Sequence, residues 1–516
     1  MNRRNFLRAG GALSLPFVAG NTLSAGLARS LRALVDPDSD RVLVLVQLNG
    51  GNDGLSNLVP LDRFDRLMAV RGNLMVPQNQ LLNIDNDLAF HPAAVGMQHL
   101  YQDGKMAIVQ GVAYPNQNRS HFRSKDIWTS ASAADELITS GWLGRNYETD
   151  HPGFPTDYPN EDRPHPFAIA MGNQVSQTCQ GIGANYSMAI TDPFNLLTLA
   201  GGDDTPLPQN PYGDELGFLR TSIVQANAYG EVVQDFADRG QSLVDYPDNR
   251  FAAQLKNVAY LISSGLQTNV YVVNLGGFDT HANQVVEGNS AAGTYAGLLE
   301  TLGGAMEAFH QDMTAQGLEK RVLSMTFSEF GRRIRSNDSL GSDHGTAAPL
   351  FLMGSCVRAG VLGENAEVGQ TVDVNEGVAL QYDFRDIYGT VFQDWLEIEP
   401  DKVKTVLGHD YVHLPILGGC ESTSTDENDA AIRDLQVKLW PNPTANSAQI
   451  SFDIEGGVAQ LTLSDVNGRL LETVFDRTLS GGAHQFSLAL DRYPAGIYFV
   501  RLRAGVAVAS RRVMKR

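Results

Sequence analysis

What most constrains this chain is the way its apolar runs end. Arg41 to Leu48 (RVLVLVQL) leads into Asn49-Gly50-Gly51-Asn52-Asp53-Gly54, and Asn269 to Leu275 (NVYVVNL) into Gly276-Gly277-Phe278-Asp279-Thr280-His281. Arg321 to Phe327 (RVLSMTF) leads into Ser328-Glu329-Phe330-Gly331-Arg332-Arg333, and Asp343-His344-Gly345 precedes the apolar run Pro349 to Met353. Runs of this length and β-branched content read as buried strands. Lys105 to Val112, Phe167 to Met171 and Leu350 to Met353 add further short strands. Helical patterns at Glu215 to Ala237, Phe251 to Ser264 and Ala292 to Gln316 lie between them. Strand and helix in alternation predict an α/β fold, a mainly parallel sheet sandwiched by helices. No internal repeat is evident, so residues 40–417 read as one large domain. Ligands of such a sheet bind where the carboxyl ends of strands gather. Asp, Glu and His collected there suit divalent metals better than an organic cofactor.

Both ends differ from this middle. Arg3-Arg4-Asn5-Phe6-Leu7-Arg8 and the weakly apolar stretch Ala9 to Leu27 read as a twin-arginine signal peptide over residues 1–28, with small residues for cleavage after Ala28. Nothing else approaches the ~20 apolar residues of a membrane span. A formal net charge of −19 argues against a nucleic-acid partner. Cys179, Cys356 and Cys420 are too few and scattered for a disulfide framework, and read as buried or incidental.

At the other end, the acidic stretch Glu421 to Asp429 marks a linker over residues 421–433. Beyond it, Ala448 to Ile454, Ala459 to Asp465, Gln485 to Leu490 and Ile497 to Leu502 alternate with period two, parted by turns at Asn467-Gly468 and Ser480-Gly481-Gly482. Residues 434–516 thus read as a small β-sandwich. Trp440-Pro441-Asn442-Pro443, Asn467-Gly468-Arg469, Pro494-Ala495-Gly496-Ile497-Tyr498 and the basic finish Arg511 to Arg516 make it resemble the C-terminal sorting domain (type A) of type IX secretion substrates. The resemblance implies export through the periplasm to the cell surface or the extracellular space, with the twin-arginine and type IX machineries as partners.

The middle domain carries a second ordered set of motifs. Leu48-Asn49-Gly50-Gly51-Asn52-Asp53-Gly54, Tyr114-Pro115-Asn116-Gln117-Asn118-Arg119-Ser120-His121-Phe122, Gly141-Trp142-Leu143-Gly144-Arg145, Gly277-Phe278-Asp279-Thr280-His281, Phe327-Ser328-Glu329-Phe330-Gly331-Arg332 and Asp343-His344-Gly345-Thr346 resemble the domain-of-unknown-function family 1501 (DUF1501). That resemblance implies the alkaline-phosphatase-like group, with sulfatases and cofactor-independent phosphoglycerate mutases as distant relatives. Such proteins hold two divalent ions, commonly zinc or manganese, beside a hydroxyl or modified-Cys nucleophile, and one or two such ions are expected here. Carried onto this chain, the metal ligands are Asp53, Asp279, His281, Glu329, Asp343 and His344. Glu329 stands where relatives place an Asp-His pair, which puts the second metal in question. Ser120, at a helix start where unsatisfied N–H groups favour an anion, is the candidate nucleophile. His121, Arg119 and Arg123 are candidate oxyanion contacts.

Each position also has a plainer use. Asp53 suits a turn or cap, Glu329 an ion pair with Arg332 or Arg333, and Ser120 an ordinary helix cap. The chain lacks the C/S-x-P-S-R string of formylglycine sulfatases, a G-x-S-x-G elbow, a G-x-G-x-x-G fingerprint after the first strand and a Walker motif. The expected function is an exported metal-dependent hydrolase of small-molecule or glycan phosphate or sulfate esters. The alternative is a non-catalytic surface binding protein on the same fold.

Overall fold

The computed structural model describes residues 41–418 and 437–516, apart from positions 86, 157, 201–204, 455, 466–469 and 505–506. The signal peptide and the linker expected from the sequence lie outside the described residues. Strands form where the apolar runs stand: β1 (Val42–Asn49), β2 (Met106–Ala113), β3 (Ala168–Met171), β4 (Ser187–Ile190), β5 (Val270–Gly276), β6 (Val322–Ser328), β7 (Ala348–Met353), β8 (Gly360–Leu362) and β9 (Tyr382–Asp383). They build one sheet in the order β8-β2-β7-β6-β1-β5-β3-β4, with β9 also beside β2. The pairings are parallel except those of β7, which runs antiparallel to both β2 and β6.

β1 shows why this sheet is central. Val42, Val44, Val46 and Leu48 enter one core while Leu43 and Leu45 enter another. Successive side chains of a strand point to opposite faces, so a strand apolar at nearly every position needs cover on both sides. β5 divides likewise, with Tyr271, Val273 and Leu275 on one face and Val270 and Val272 on the other. Each fully buried aliphatic side chain contributes about 1.5–3 kcal/mol, so a polar residue on either face of β1 would be strongly destabilising.

Helices supply the cover. Over the first face lie Val95–Gln102, Arg250–Ser263 and Thr294–Ala315. Phe251, Leu255, Val258 and Ile262 form the buried stripe of the second of these, at the spacing that repeats once per helical turn. Its start is set by Asn249, whose side chain accepts the Ala252 N–H at 2.8 Å. Over the second face lie His121–Ser130, Trp142–Asp150, Phe384–Thr390 and Pro400–Leu407. There Trp142 stacks on Tyr388 with ring centroids 4.4 Å apart.

Cys179 and Cys356 are both buried, as expected, but Cys356 is disulfide-bonded while Cys179 is a free thiol. A disulfide fits an oxidising, exported setting. The Asp343-His344 pair lies in a short strand ahead of β7. Strand Ser342–His344 pairs antiparallel with Arg332–Ser336 in a small hairpin.

The C-terminal segment folds on its own core. Lys438–Trp440, Ser447–Ile454 and Gly482–Ala489 form one antiparallel sheet; Gly457–Asp465, Leu470–Leu479, Gly496–Ala504 and Ala507–Lys515 form the other. Ile450, Phe452, Leu461, Leu463, Val500 and Leu502 are buried between them, the alternation of a sandwich. Among the described residues no helix is long and apolar enough to cross a membrane.

Candidate metal centre

β1, β5 and β6 are adjacent and parallel, so the loops carrying Asp53, Asp279 and Glu329 leave the sheet at one end. The end of β2, followed by helix His121–Ser130, opens on the same side. Because β7 is antiparallel, the residues just before it, Asp343 and His344, arrive there as well. Topology gathers all the expected ligands at one rim and then gives them different work.

Glu329 is a clamp. Its carboxylate accepts the Gly50 N–H at 3.1 and 2.9 Å and the Gly51 N–H at 3.2 Å, pinning the turn that follows β1. Neither expected arginine pairs with it, since Arg332 donates to Asp279 and Arg333 to Asp343. The nearest His121 nitrogen stands 3.8 Å away.

Asp53 is a buried ion-pair partner. It pairs with Arg71, both side chains being at most 1% exposed, and its Oδ2 also accepts from Gln284 at 2.6 Å and Ser56 at 2.9 Å. Burial works to raise the Asp53 pKa, but the charge of Arg71 and these hydrogen bonds outweigh it and hold it below the ordinary value. Its Oδ2 is taken up by these donors while its buried Oδ1 has no hydrogen-bond partner, and Asp53 is not among the residues that converge as a ligand group.

His121, Asp279 and His344 do converge, each offering one ligand atom within 4.8 Å of the others. The Asp279 Oδ1 lies 3.1 Å from His344 Nε2, 3.1 Å from His281 Nε2 and 3.4 Å from His121 Nε2. The two rings of His281 and His344 bring their Nε2 atoms 2.8 Å apart. The far nitrogens explain this crowding. His344 Nδ1 stands 2.8 Å from the Arg119 carbonyl, and His281 Nδ1 stands 2.9 Å from the Asp343 carboxylate. Both partners only accept, so each Nδ1 carries the proton and, in the neutral ring, each Nε2 presents a lone pair. Two lone pairs and a carboxylate oxygen then face one another, and the buried His121 Nε2 has no hydrogen-bond partner. That arrangement is repulsive unless a cation sits among the atoms.

The donor set fits such an ion. Tetrahedral ligands about 2.0–2.1 Å from zinc lie roughly 3.3 Å from each other. The Asp279 Oδ1 stands 3.1, 3.1 and 3.4 Å from the three imidazoles, His281 and His344 stand 2.8 Å apart, and His121, Asp279 and His344 lie within 4.8 Å of one another. Protonation is the weaker remedy: burial lowers the His344 pKa, although Asp279 and the Arg119 carbonyl oppose it. Asp279 stays ionised. Burial tends to raise its pKa, but hydrogen bonds from Arg332 and His344 and the nearby charges bring it to about 2. Phe330 walls the group, its ring centroid 5.0 Å from that of His121 and 4.5 Å from that of His344. Asp279 itself is about half exposed, leaving the centre open to a substrate.

The remaining candidates divide. Asp343 accepts from His281 and also meets Asn337 at 3.2 Å and Arg333 at 3.3 Å, which engages both of its oxygens. His121, expected as an oxyanion contact, lies instead in the group with Asp279 and His344 that could hold an ion. Arg123 turns away, donating to the carbonyls of Ala133, Ala134 and Glu136, which corrects its assignment to an oxyanion. Ser120 is exposed, begins the helix His121–Ser130 and makes no side-chain capping bond. Arg119 lies beside Arg333; burial lowers its pKa and that neighbouring charge lowers it further. Sequence reasoning missed Arg332, which is wholly buried and donates to the carbonyls of Gly51, Ser342, Gly50 and Phe278 as well as to Asp279. Arg332 stands in the Phe327 to Arg332 motif, where the sequence suggests it only as a partner of Glu329; Gln284, also missed, lies in no motif.

Two family models match parts of the chain. Residues 258–401, which include Asp279, His281, Glu329, Asp343 and His344, match the family "Protein of unknown function (DUF1501)". Residues 438–516 match the family "Secretion system C-terminal sorting domain". No curated protein matches the sequence. Among solved structures, a sulfatase from Pseudoalteromonas sp. is 9% identical with a TM-score of 0.32, over 90% of this chain and 87% of that one. A phosphonate monoester hydrolase from Silicibacter pomeroyi is 9% identical with a TM-score of 0.29, over 92% and 89%. A protein of the alkaline phosphatase superfamily from Vibrio parahaemolyticus is 10% identical with a TM-score of 0.29, over 89% and 85%. Residues 258–401 are therefore similar to the family of unknown function 1501, and the secretion sorting domain matched at residues 438–516 directs the protein through type IX secretion to the cell surface or the extracellular space.

Proposed function

We propose that the protein is an exported, metal-dependent hydrolase of phosphate or sulfate esters. One observation carries the reading: the Nε2 lone pairs of His281 and His344 and the Asp279 carboxylate meet within 2.8–3.1 Å while both Nδ1 protons are committed elsewhere. Three imidazoles and one carboxylate favour zinc, with manganese as the harder-donor alternative. When bound, the ion acts as a Lewis acid on a phosphoryl or sulfuryl oxygen.

The chain's own groups complete the site. Arg119 and Arg333 repel one another, and a tetrahedral anion between them relieves that repulsion through charge-assisted hydrogen bonds. Ser120 precedes His121 at the start of a ten-residue helix with its hydroxyl uncommitted to a cap, and we assign it the attack on the ester. Its Oγ bonds to phosphorus or sulfur as the bond to the substrate alcohol breaks, and the hydroxyl proton leaves with that alcohol. Water then hydrolyses the seryl ester. The helix N-terminus favours the anion that attack creates.

A second reading is a metal-bearing binding protein without turnover. It is favoured by the engagement of Asp53 with Arg71 and of Glu329 with the Gly50-Gly51 turn, which leaves a single group of donors. The deciding experiment is metal content by elemental mass spectrometry after incubation with zinc or manganese, followed by assay of 4-nitrophenyl phosphate and 4-nitrophenyl sulfate. We expect about one equivalent of zinc, lost in His344→Ala, and turnover that requires it. Stoichiometric zinc with no turnover of either ester supports the binding protein. A folded wild-type chain that takes up neither ion overturns both.

A further inference from the structure

Asp53 stands outside the converging group, yet it ends a hydrogen-bonded chain that leads to the metal donors. Gln284, fully buried, stands between. Its Nε2 donates to Asp53 Oδ2 at 2.6 Å and to Ser56 Oγ at 3.2 Å. Its Oε1 accepts from Thr280 Oγ1 at 2.9 Å and from Ser342 Oγ at 2.7 Å. Both donors and both lone pairs of the amide are thereby used, so its orientation is fixed. Its main chain is committed too, donating to Leu340 at 2.8 Å and accepting from Tyr295 at 3.1 Å.

The two hydroxyls are the informative ones. Thr280 lies between Asp279 and His281, and Ser342 immediately precedes Asp343 and His344. The Ser342 N–H also donates to the Thr280 carbonyl at 3.1 Å. One buried amide therefore ties together two segments, far apart in sequence, that supply three of the four donors. The fourth, His121, comes from another element and is not touched by this tie. On the far side, the Asp53–Arg71 pair anchors the amide in a place where no water competes.

We infer that Gln284, held by Asp53 and Arg71, is a positioning residue that sets the metal affinity of the centre through Thr280 and Ser342. The inference rests on the proposed metal centre. A donor set is pre-organised only as well as its supports are fixed, and loss of an outer partner of a metal ligand costs about 10–100-fold in affinity.

The test is the zinc dissociation constant of the full-length chain, read by competition with a chromogenic chelator, with thermal melting of the metal-free protein as the control for folding. Thr280→Val and Ser342→Ala remove one hydroxyl each while leaving the Asp53–Arg71 pair intact, so neither exposes a buried charge. Each is expected to weaken zinc binding about tenfold, and the double variant about tenfold or more. Thr280→Ser, which keeps the hydroxyl, is expected to bind as the wild type does. Wild-type affinity in a folded double variant overturns the inference. So does equal weakening in Thr280→Ser and Thr280→Val, because methyl packing would then be the cause. Absence of zinc binding by the wild type instead overturns the metal centre itself.

Discussion

Asp343 accepts from His281, and a carboxylate in that role is as exacting as a ligand. Burial works to raise its pKa, but hydrogen bonds from His281 and Asn337 and the charge of Arg333 keep it below the ordinary value. An ionised Asp343 keeps the His281 proton on Nδ1 and so keeps the Nε2 lone pair on the metal side. Asp343→Ala should therefore lower zinc affinity about 10–100-fold without unfolding the chain. Chelator competition reads this directly, and unchanged affinity would contradict the tautomer argument. At this scale the sequence was informative about chemistry and silent about division of labour. Asp53 and Glu329 each follow a strand beside glycine, as a ligand might. What separates them from Asp279 is burial: Asp53 is 1% and Glu329 5% exposed, Asp53 engaged through Oδ2 and Glu329 through both oxygens by donors that arrive through folding, while the buried Asp53 Oδ1 has no hydrogen-bond partner. Arg71 closes the helix Phe64–Arg71, with nothing in its local pattern to pair it with Asp53.

The turn after β1 shows how elements meet at this rim. Gly50 has φ +122°, and a Cβ there would stand 2.3 Å from the Asp279 amide nitrogen and 2.7 Å from the Phe278 carbonyl carbon. Both are backbone atoms in the loop that presents Asp279, so something rigid has to move. Gly50→Ala should cost about 1–3 kcal/mol from the overpacking and weaken zinc binding by displacing Asp279. Gly276→Ala is the matched control, since a Cβ at Gly276 meets nothing within 4 Å. Thermal melting of the pair decides it: equal melting temperatures would mean that the close approach of the two loops is unimportant. The six strands named from the sequence lie within a residue or two of their apolar runs, because a central strand must be apolar on both faces, whereas β4, β8 and β9 were not named. The direction of β7 was not. Its apolar run is short, and strand direction depends on neighbours β2 and β6, to which it has no local connection.

For the whole molecule, two buried histidines away from the centre weaken the fold in acid, partly offset by the buried Asp386, whose pKa desolvation raises to about 7. Burial, with a smaller contribution from Lys105, pushes the His310 pKa down to about 3, where its Nε2 meets the Ser324 hydroxyl at 3.1 Å. Burial also brings His91 to about 4 against the opposing Ser290 backbone bond. Both folded values lie below the unfolded value of about 6.5, so the unfolded chain binds the extra protons. Their contribution to stability is full above pH ~6.5 and is lost as the pH falls toward those values, by roughly 1.4 kcal/mol per pH unit for each proton. The urea midpoint should accordingly fall between about pH 6.5 and pH 4, and His310→Gln should flatten that fall. A midpoint indifferent to pH over that range would refute the assignment.

By itself the sequence determined the two-layered α/β cover of a mainly parallel sheet, the separate C-terminal β-sandwich and the rim at which chemistry gathers. Each of these follows from periodicity, which is a local property of the chain. Tertiary structure decided which carboxylates remain free to bind an ion. It sent Asp53 to Arg71 and Glu329 to the Gly50-Gly51 turn, and brought His121 to Asp279 and His344. Those outcomes depend on partners hundreds of residues apart and on the desolvation that follows when they meet, and no local pattern encodes either.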